Sequence, residues 1–114
     1  MSQNHICLPS VAGDIRLIAG YDRPLQQLFF SIEPLDGIEA GSLSNEHEDF
    51  WEEVAVLSMA PCSSVSQLAG NLEHLGIRPP ASVLAAVEDD ARCQAGNTIR
   101  WFAADGSLER EHRA

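Results

Sequence analysis

Residues 14–34, DIRLIAGYDRPLQQLFFSIEP, decide the fold. Two apolar runs flank Asp22-Arg23-Pro24, and in both runs apolar side chains alternate with polar, small or outward-facing ones. A period of two is typical of a strand with one buried face. Pro24 suits the second position of a tight turn, and Pro34 cannot continue a ladder of hydrogen bonds. The stretch therefore predicts a β-hairpin.

Two helices are predicted after the hairpin. Asn45 is a suitable N-cap for the first, and Pro61 forbids continuation of that helix. The second helix is bounded by Ser64, with Gln67 at the capping-box position, and by Gly76, which supplies the left-handed residue of a Schellman stop. Apolar residues recur at helical spacing in both segments.

A third helix and a C-terminal strand complete the pattern. The helix is predicted to begin near Pro80, which fits a first helical turn, and to close at Gly96. Residues 98–103 are of β type, and Asp105-Gly106 is a hairpin turn signal. Because strands and helices are segregated, we predict an α+β fold, in which an antiparallel β-sheet (N-terminal hairpin plus C-terminal strand or hairpin) packs against three α-helices.

The whole chain, residues 1–114, is predicted to form one domain, with residues 1–12 as a loose arm or edge segment. Trp101 and Phe102 are neighbours on the last strand and must point to opposite faces of the sheet. One of them lies on the outer face, which either the N-terminal arm or another chain would cover. A homodimer through this sheet is therefore a further hypothesis.

Charge is the most unusual property of the chain. It carries 17 acidic residues against seven arginines and no lysine, for a formal net charge of −10. Binding to a phosphate backbone needs basic residues, so direct nucleic-acid binding is not expected. A basic protein partner is favoured instead. The arginine-only usage indicates a GC-rich bacterial genome. Without a membrane-length apolar run or a signal sequence, we expect no membrane association and a cytoplasmic location.

The acidic stretch 44–54, SNEHEDFWEEV, allows several interpretations. Residues 38–60 contain six acids and no arginine, which is more than half of the net charge. A metal site lacks a ligand motif, and carboxylate acid/base chemistry would need a desolvated group. Cys62 at a helix start, approached by His74, is a weak nucleophile pattern. We therefore expect neither a cofactor nor a metal, and the choice left is between a solvated helix face and a protein-binding surface.

The sequence favours a small non-enzymatic bacterial protein that binds a basic or nucleic-acid-binding protein partner as an inhibitor or regulator. By composition it is similar to phage or mobile-element inhibitors, immunity proteins and anti-activators. The candidate contact residues are Glu46, Glu48, Asp49, Trp51, Glu52, Glu53, Tyr21 and Arg23. One alternative is an enzyme or small-ligand binder with His74 or Arg100 facing a pocket between sheet and helices. Another is a homodimeric accessory subunit.

Overall fold

A computed structural model describes residues 1–35 and 48–113. Five strands and three helices follow one another in these ranges. The strands are β1 (Ser2–Ser10), β2 (Gly13–Asp22), β3 (Gln27–Pro34), β4 (Thr98–Phe102) and β5 (Leu108–Arg113). The helices, α1 (Glu48–Met59), α2 (Val65–His74) and α3 (Ala81–Arg92), lie between β3 and β4 in the chain.

The strands form one mixed sheet in the order β3-β2-β1-β4-β5. The predicted hairpin is confirmed, since β2 pairs with β3 in antiparallel register from Ile15 opposite Pro34 to Asp22 opposite Gln27. The pairs β1–β2 and β4–β5 are also antiparallel, but β1 pairs with β4 in parallel. The α+β class with a largely antiparallel sheet is thus confirmed, with one parallel pair that was not expected.

The loose arm predicted for residues 1–12 is instead β1, the central strand of the sheet. Ser2, Asn4, Ile6 and Leu8 point inward and are buried. Because Ser2 and Asn4 are polar, the sequence of β1 lacks the alternation of apolar residues that would indicate a buried strand face. Both are satisfied by long-range partners: the Tyr21 amide donates to Ser2 Oγ at 3.0 Å, and Asn4 bonds to three other residues.

The helix boundaries follow from local chemistry. Ser64 Oγ accepts from the Gln67 amide at 3.1 Å, as predicted for the start of α2. Gly76 has φ 77°, and the Ile77 amide donates to the Leu72 carbonyl at 2.9 Å, which completes the Schellman stop. The predicted cap of α1 at Asn45 lies outside the described residues.

The end of α3 differs from the prediction that Gly96 closes it. Gln94 takes the left-handed conformation, with φ 55°. The Ala95 amide donates to the Asp90 carbonyl at 2.8 Å and the Gln94 amide to the Ala91 carbonyl at 3.4 Å, the bond pattern of a Schellman stop. Because this pattern satisfies the last carbonyls, the helix ends two residues earlier than its glycine suggests.

The helices cover only one face of the sheet. Inward side chains of β1, β2 and β3 join those of all three helices in one hydrophobic core, in which Leu17, Leu68, Leu72 and Val83 are fully buried. The outward-facing Ile18, Phe29, Ile99 and Trp101 do not belong to this core and are only half-buried. The sheet therefore has a helix-covered inner face and an outer face that no described helix covers.

Candidate functional site: the exposed surface of helix α1

The solvent-facing side of α1 combines carboxylates with bare apolar side chains. At 100° per residue, one exposed arc of the helix carries all four carboxylates and the apolar residues that follow them. We call this arc the α1 surface; it consists of Glu48, Asp49, Glu52, Glu53, Val56 and Met59. Val56 is 69% exposed and Met59 is 84% exposed. The surface is thus acidic at the start of the helix and apolar at its end.

The opposite side of α1 holds the helix in place. Val54 is buried, and Phe50, Trp51 and Leu57 are half-buried against the core. The rings of Phe50 and Trp51 meet edge to face, with centroids 5.1 Å apart. Because packing fixes these residues, the carboxylates and Met59 keep their outward direction.

Few cations oppose the α1 surface. Among the basic side chains that the structure describes, only His74 forms an ion pair with one of its carboxylates, with Nε2 at 3.2 Å from Glu53 Oε2. Both side chains of this pair are more than half exposed, so the contact adds little to stability. Glu48 and Asp49 interact favourably with the positive end of the helix. Most of the negative charge of the α1 surface is therefore not compensated by a described cation.

A shallow groove of about 310 Å³ borders the α1 surface. Carboxylates and apolar groups share its walls, which are formed by Val11, Asp49, Phe50, Glu53, His74, Leu75 and Gly76. The aliphatic stem of an arginine or lysine packs on apolar walls while its charged end reaches a carboxylate. The groove is accordingly suited to a basic side chain.

The remaining predicted contact residues lie elsewhere. Glu46 is outside the described residues. Tyr21 is only 3% exposed on the inner face of the sheet, so it cannot be a contact residue, and including it was wrong. Arg23 is exposed in the β2–β3 turn, but its guanidinium lies beside Gly96, and no ion pair joins it to Asp22 within the described ranges. Trp51 packs against the core at the margin of the arc instead of projecting from it.

Val56 and Met59 were missed by the sequence reasoning. Their positions follow Glu52 by four and seven residues, which places them on the same arc of a helix. The helical spacing from Glu52 could therefore have indicated that Val56 and Met59 belong to the exposed arc.

Cys62 lies at the start of α2, where a nucleophile was considered. The residue is 1% exposed, and burial raises the pKa of its thiol, only partly offset by a hydrogen bond from Asn71 Nδ2 at 3.6 Å. A raised pKa disfavours the thiolate that nucleophilic chemistry needs. Outside the undescribed residues 36–47 and 114, no three metal-ligating side chains form a cluster.

A second polar site lies between α3 and the β4–β5 hairpin. Arg100, which the sequence singled out, lines a cleft of about 320 Å³ together with Asp90, Thr98 and Arg113. The Arg100 guanidinium is already engaged: Nη1 lies 3.0 Å from both carboxylate oxygens of Asp90, and Nε donates to Glu111 at 3.2 Å. The acids and arginines of this site pair with one another, so it presents little net charge to a ligand.

His5 occupies the centre of the outer sheet face. Its ring lies 5.7 Å from that of Trp101, and one ring nitrogen bonds Gln3 at 3.0 Å. Burial lowers the pKa of His5 below its usual range, nearby Arg16 adds to this effect, and Glu33 opposes it. Since the folded state disfavours the protonated ring, the unfolded state binds more protons than the folded state as the pH falls through 6.5, the ordinary pKa of histidine, toward the lowered pKa of the folded state.

Acidification should therefore destabilise the protein through His5. We expect the free energy of unfolding of the wild type, relative to a His5→Gln variant, to fall as the pH drops from about 7.5 to about 5.5. Urea denaturation of both proteins at several pH values measures this difference. The carboxylates and the other histidines are the same in both proteins, so their contributions to the pH dependence largely cancel. A difference that is flat with pH, or that grows on acidification, would contradict the lowered pKa.

Comparison of the chain with protein-family models, with curated proteins and with solved structures gave no significant match. In the described ranges, no helix combines the length and apolar character needed to cross a membrane.

Proposed function

We propose that this protein binds a basic protein partner through the α1 surface and acts as a non-enzymatic inhibitor or regulator. The observation that carries the proposal is the alignment of four exposed carboxylates with exposed Val56 and Met59 on one arc of α1. Large apolar side chains left in water beside a charged rim are typical of protein-binding surfaces.

The two halves of the surface have different roles in this proposal. Carboxylates at the start of α1 attract a basic partner and orient it during encounter, which mainly raises the association rate. Met59 and Val56 supply apolar area that is removed from water in the complex, and the flexible thioether of methionine adapts to the partner's shape.

The class of partner follows from the charge. A chain of net charge −10 is repelled by phosphate groups but attracted to the proteins that bind them. A basic surface occupied by α1 is no longer open to nucleic acid or to another acidic effector. Inhibition by occupancy requires no catalytic group.

Charge reversal tests the proposal. In a four-site variant, Glu48, Asp49, Glu52 and Glu53 are replaced by lysine. We expect partner affinity to fall roughly 100-fold at physiological salt, because attraction becomes repulsion at four positions. Pull-down from a lysate of the source cells, with wild-type and variant protein at low and high salt, gives the measurement. Two of the four carboxylates also stabilise the start of α1, so lysine at these positions weakens the helix. Circular dichroism of the variant therefore has to show that the fold is retained.

A control with the same change in net charge separates the surface from general electrostatics. Asp14, Glu73, Glu88 and Glu109 are exposed and lie outside the α1 surface, and their replacement by lysine should leave most of the binding intact. A second variant, Val56→Ser with Met59→Ser, keeps the charge and should weaken binding through dissociation. Retention of the same partners by the α1 variant, with their loss in the control, would refute the proposal.

A further inference from the structure

The outer face of the sheet has an apolar centre that the helices do not cover. Ile18, His5 and Trp101 lie side by side, since His5 is in register with Ile18 on β2 and with Trp101 on β4. In the adjacent row, the Phe29 ring lies across Gly20, with its Cε1 3.1 Å from the place a Cβ would take. These side chains shield one another only in part and remain half-exposed.

Opposite charges stand at the two edges of this face. Glu33 is on the edge strand β3, and Arg110 is on the edge strand β5, where its guanidinium lies 4.7 Å above the Trp101 ring. Within the described ranges, neither side chain has an oppositely charged group within 4 Å, although Arg16 is the cross-strand neighbour of Glu33. Each edge therefore keeps a charge that can attract the other edge of a second molecule.

We propose that a second copy of this chain packs face to face on the outer sheet, around a two-fold axis that runs along β1. Because β1 is the central strand of five, this axis places β3 of each molecule over β5 of the other. Ile18 then packs against the partner's Trp101, since both are level with His5. Arg110 is level with Ser31, and Glu33 lies two residues farther along β3, about 6.6 Å away. The two long side chains span this offset, so that Glu33 and the partner's Arg110 pair diagonally, once on each side. The face is complementary to itself both in charge and in apolar character.

The area is sufficient for such a dimer. Strands of 9, 10, 8, 5 and 6 residues form the sheet. Each strand residue occupies about 4.8 by 3.3 Å of the sheet plane, so the face spans roughly 600 Å². Two such faces bury about 1,200 Å², which is the lower bound of a standard specific interface. The dimer is therefore expected to be in equilibrium with monomers instead of permanent.

The proposal is independent of the function of α1. The helices lie on the opposite side of the sheet, so dimerisation leaves both α1 surfaces exposed. Cys7 lies on the outer face of β1, next to the proposed axis, and is exposed in the monomer. Its counterpart in the second molecule would face it across the roughly 10 Å that separates packed sheets.

A charge swap tests the proposed pairing. Glu33→Arg and Arg110→Glu, made singly, should each weaken dimerisation about tenfold, because two ion pairs are replaced by repulsions. The double variant restores opposite charges across the interface and should return to within about threefold of the wild type. Sedimentation equilibrium over protein concentrations up to about 1 mM gives the dissociation constants. Glu88→Arg, on the exposed side of α3, is the control and should not weaken association.

Thiol cross-linking provides a readout that does not depend on these variants. A short bis-maleimide should join two wild-type chains through Cys7, and the product should persist in Cys93→Ser and vanish in Cys7→Ser. Cys93 is also exposed, whereas Cys62 is buried. The proposal is overturned by a monomer at every concentration, by cross-links that need Cys93 instead of Cys7, or by a double charge swap that remains as weak as the single ones.

Discussion

Replacement of Arg100 by methionine is expected to lower the free energy of unfolding by about 3–5 kcal/mol, the usual cost of breaking a buried ion pair on one side. Asp90 is 1% exposed and the Arg100 side chain 13% exposed. Methionine retains much of the apolar stem but supplies no charge. The Asp90 carboxylate would then remain buried with Asn4 as its only described side-chain partner.

The size of the effect follows from how completely the network is satisfied. Arg100 Nη1 reaches both oxygens of Asp90 and Asn4 Oδ1 at 3.0 Å. Asn4 Nδ2 donates in turn to Asp90 at 3.2 Å and to the Ala19 carbonyl at 3.0 Å. These bonds connect β1, β2, β4 and α3. A loss of several kcal/mol is a large fraction of the total stability of a small domain.

Two variants identify the buried charge as the cause. Asp90→Leu combined with Arg100→Met removes both charges and should recover at least half of the lost stability, because no isolated ion remains. Arg92→Met breaks the exposed pair between Arg92 and Asp89 and should cost less than about 1 kcal/mol. Urea denaturation of all three proteins gives the comparison. A cost below about 1 kcal/mol for Arg100→Met would mean that water already solvates Asp90.

The parts of the fold that depend on nearby residues could be predicted from the sequence. The β2–β3 hairpin rests on alternation around one turn, and Gly106, with φ 93°, sits in the turn expected between β4 and β5. The limits of α2 are set by Ser64 and Gly76, which act within a few residues of their own positions. In these segments the local signal and the final structure agree because their stabilising bonds are local.

The place of β1 could not be predicted in the same way. Its inward Asn4 is polar, and the groups that satisfy it, on Asp90 and Arg100, are 86 and 96 residues distant in the chain. Only the assembled sheet brings these partners together, so a polar strand looks like a loose arm when taken alone. The parallel pairing of β1 with β4 likewise depends on the path of the helices between β3 and β4.

The candidate site was partly visible in the sequence. Carboxylates in the first turns of α1 follow from composition and helical spacing. The inward position of Tyr21 also follows from the sequence, because Tyr21 continues the alternation of Ile15, Leu17 and Ala19 on the buried face of β2. The exposure of Met59 depends on where the neighbouring elements stop covering the helix, which helical periodicity does not describe.

The second large effect is expected at Gly20, where the sheet leaves no room for a side chain. A Cβ there would overlap the Ser2 carbonyl oxygen, lie 2.7 Å from the Ser2 carbonyl carbon and crowd the Phe29 ring at 3.1 Å. The first two atoms are backbone, so they cannot rotate away. Gly20→Ala therefore forces the start of β1 to move off β2, which strains the bond between Ser2 Oγ and the Tyr21 amide.

We expect Gly20→Ala to lower the free energy of unfolding by about 3 kcal/mol, at the upper end for overpacking because a strand must shift. Gly70→Ala is the matched control: Gly70 is exposed within α2, and its Cβ would meet nothing within 4 Å. Alanine should stabilise that helix by roughly 0.5–1 kcal/mol, since it lowers the entropy of the unfolded chain. The same substitution thus has opposite signs at the two sites. If both variants are equally stable, β1 does not lie against β2 at Gly20, and the central position of β1 in the sheet is wrong.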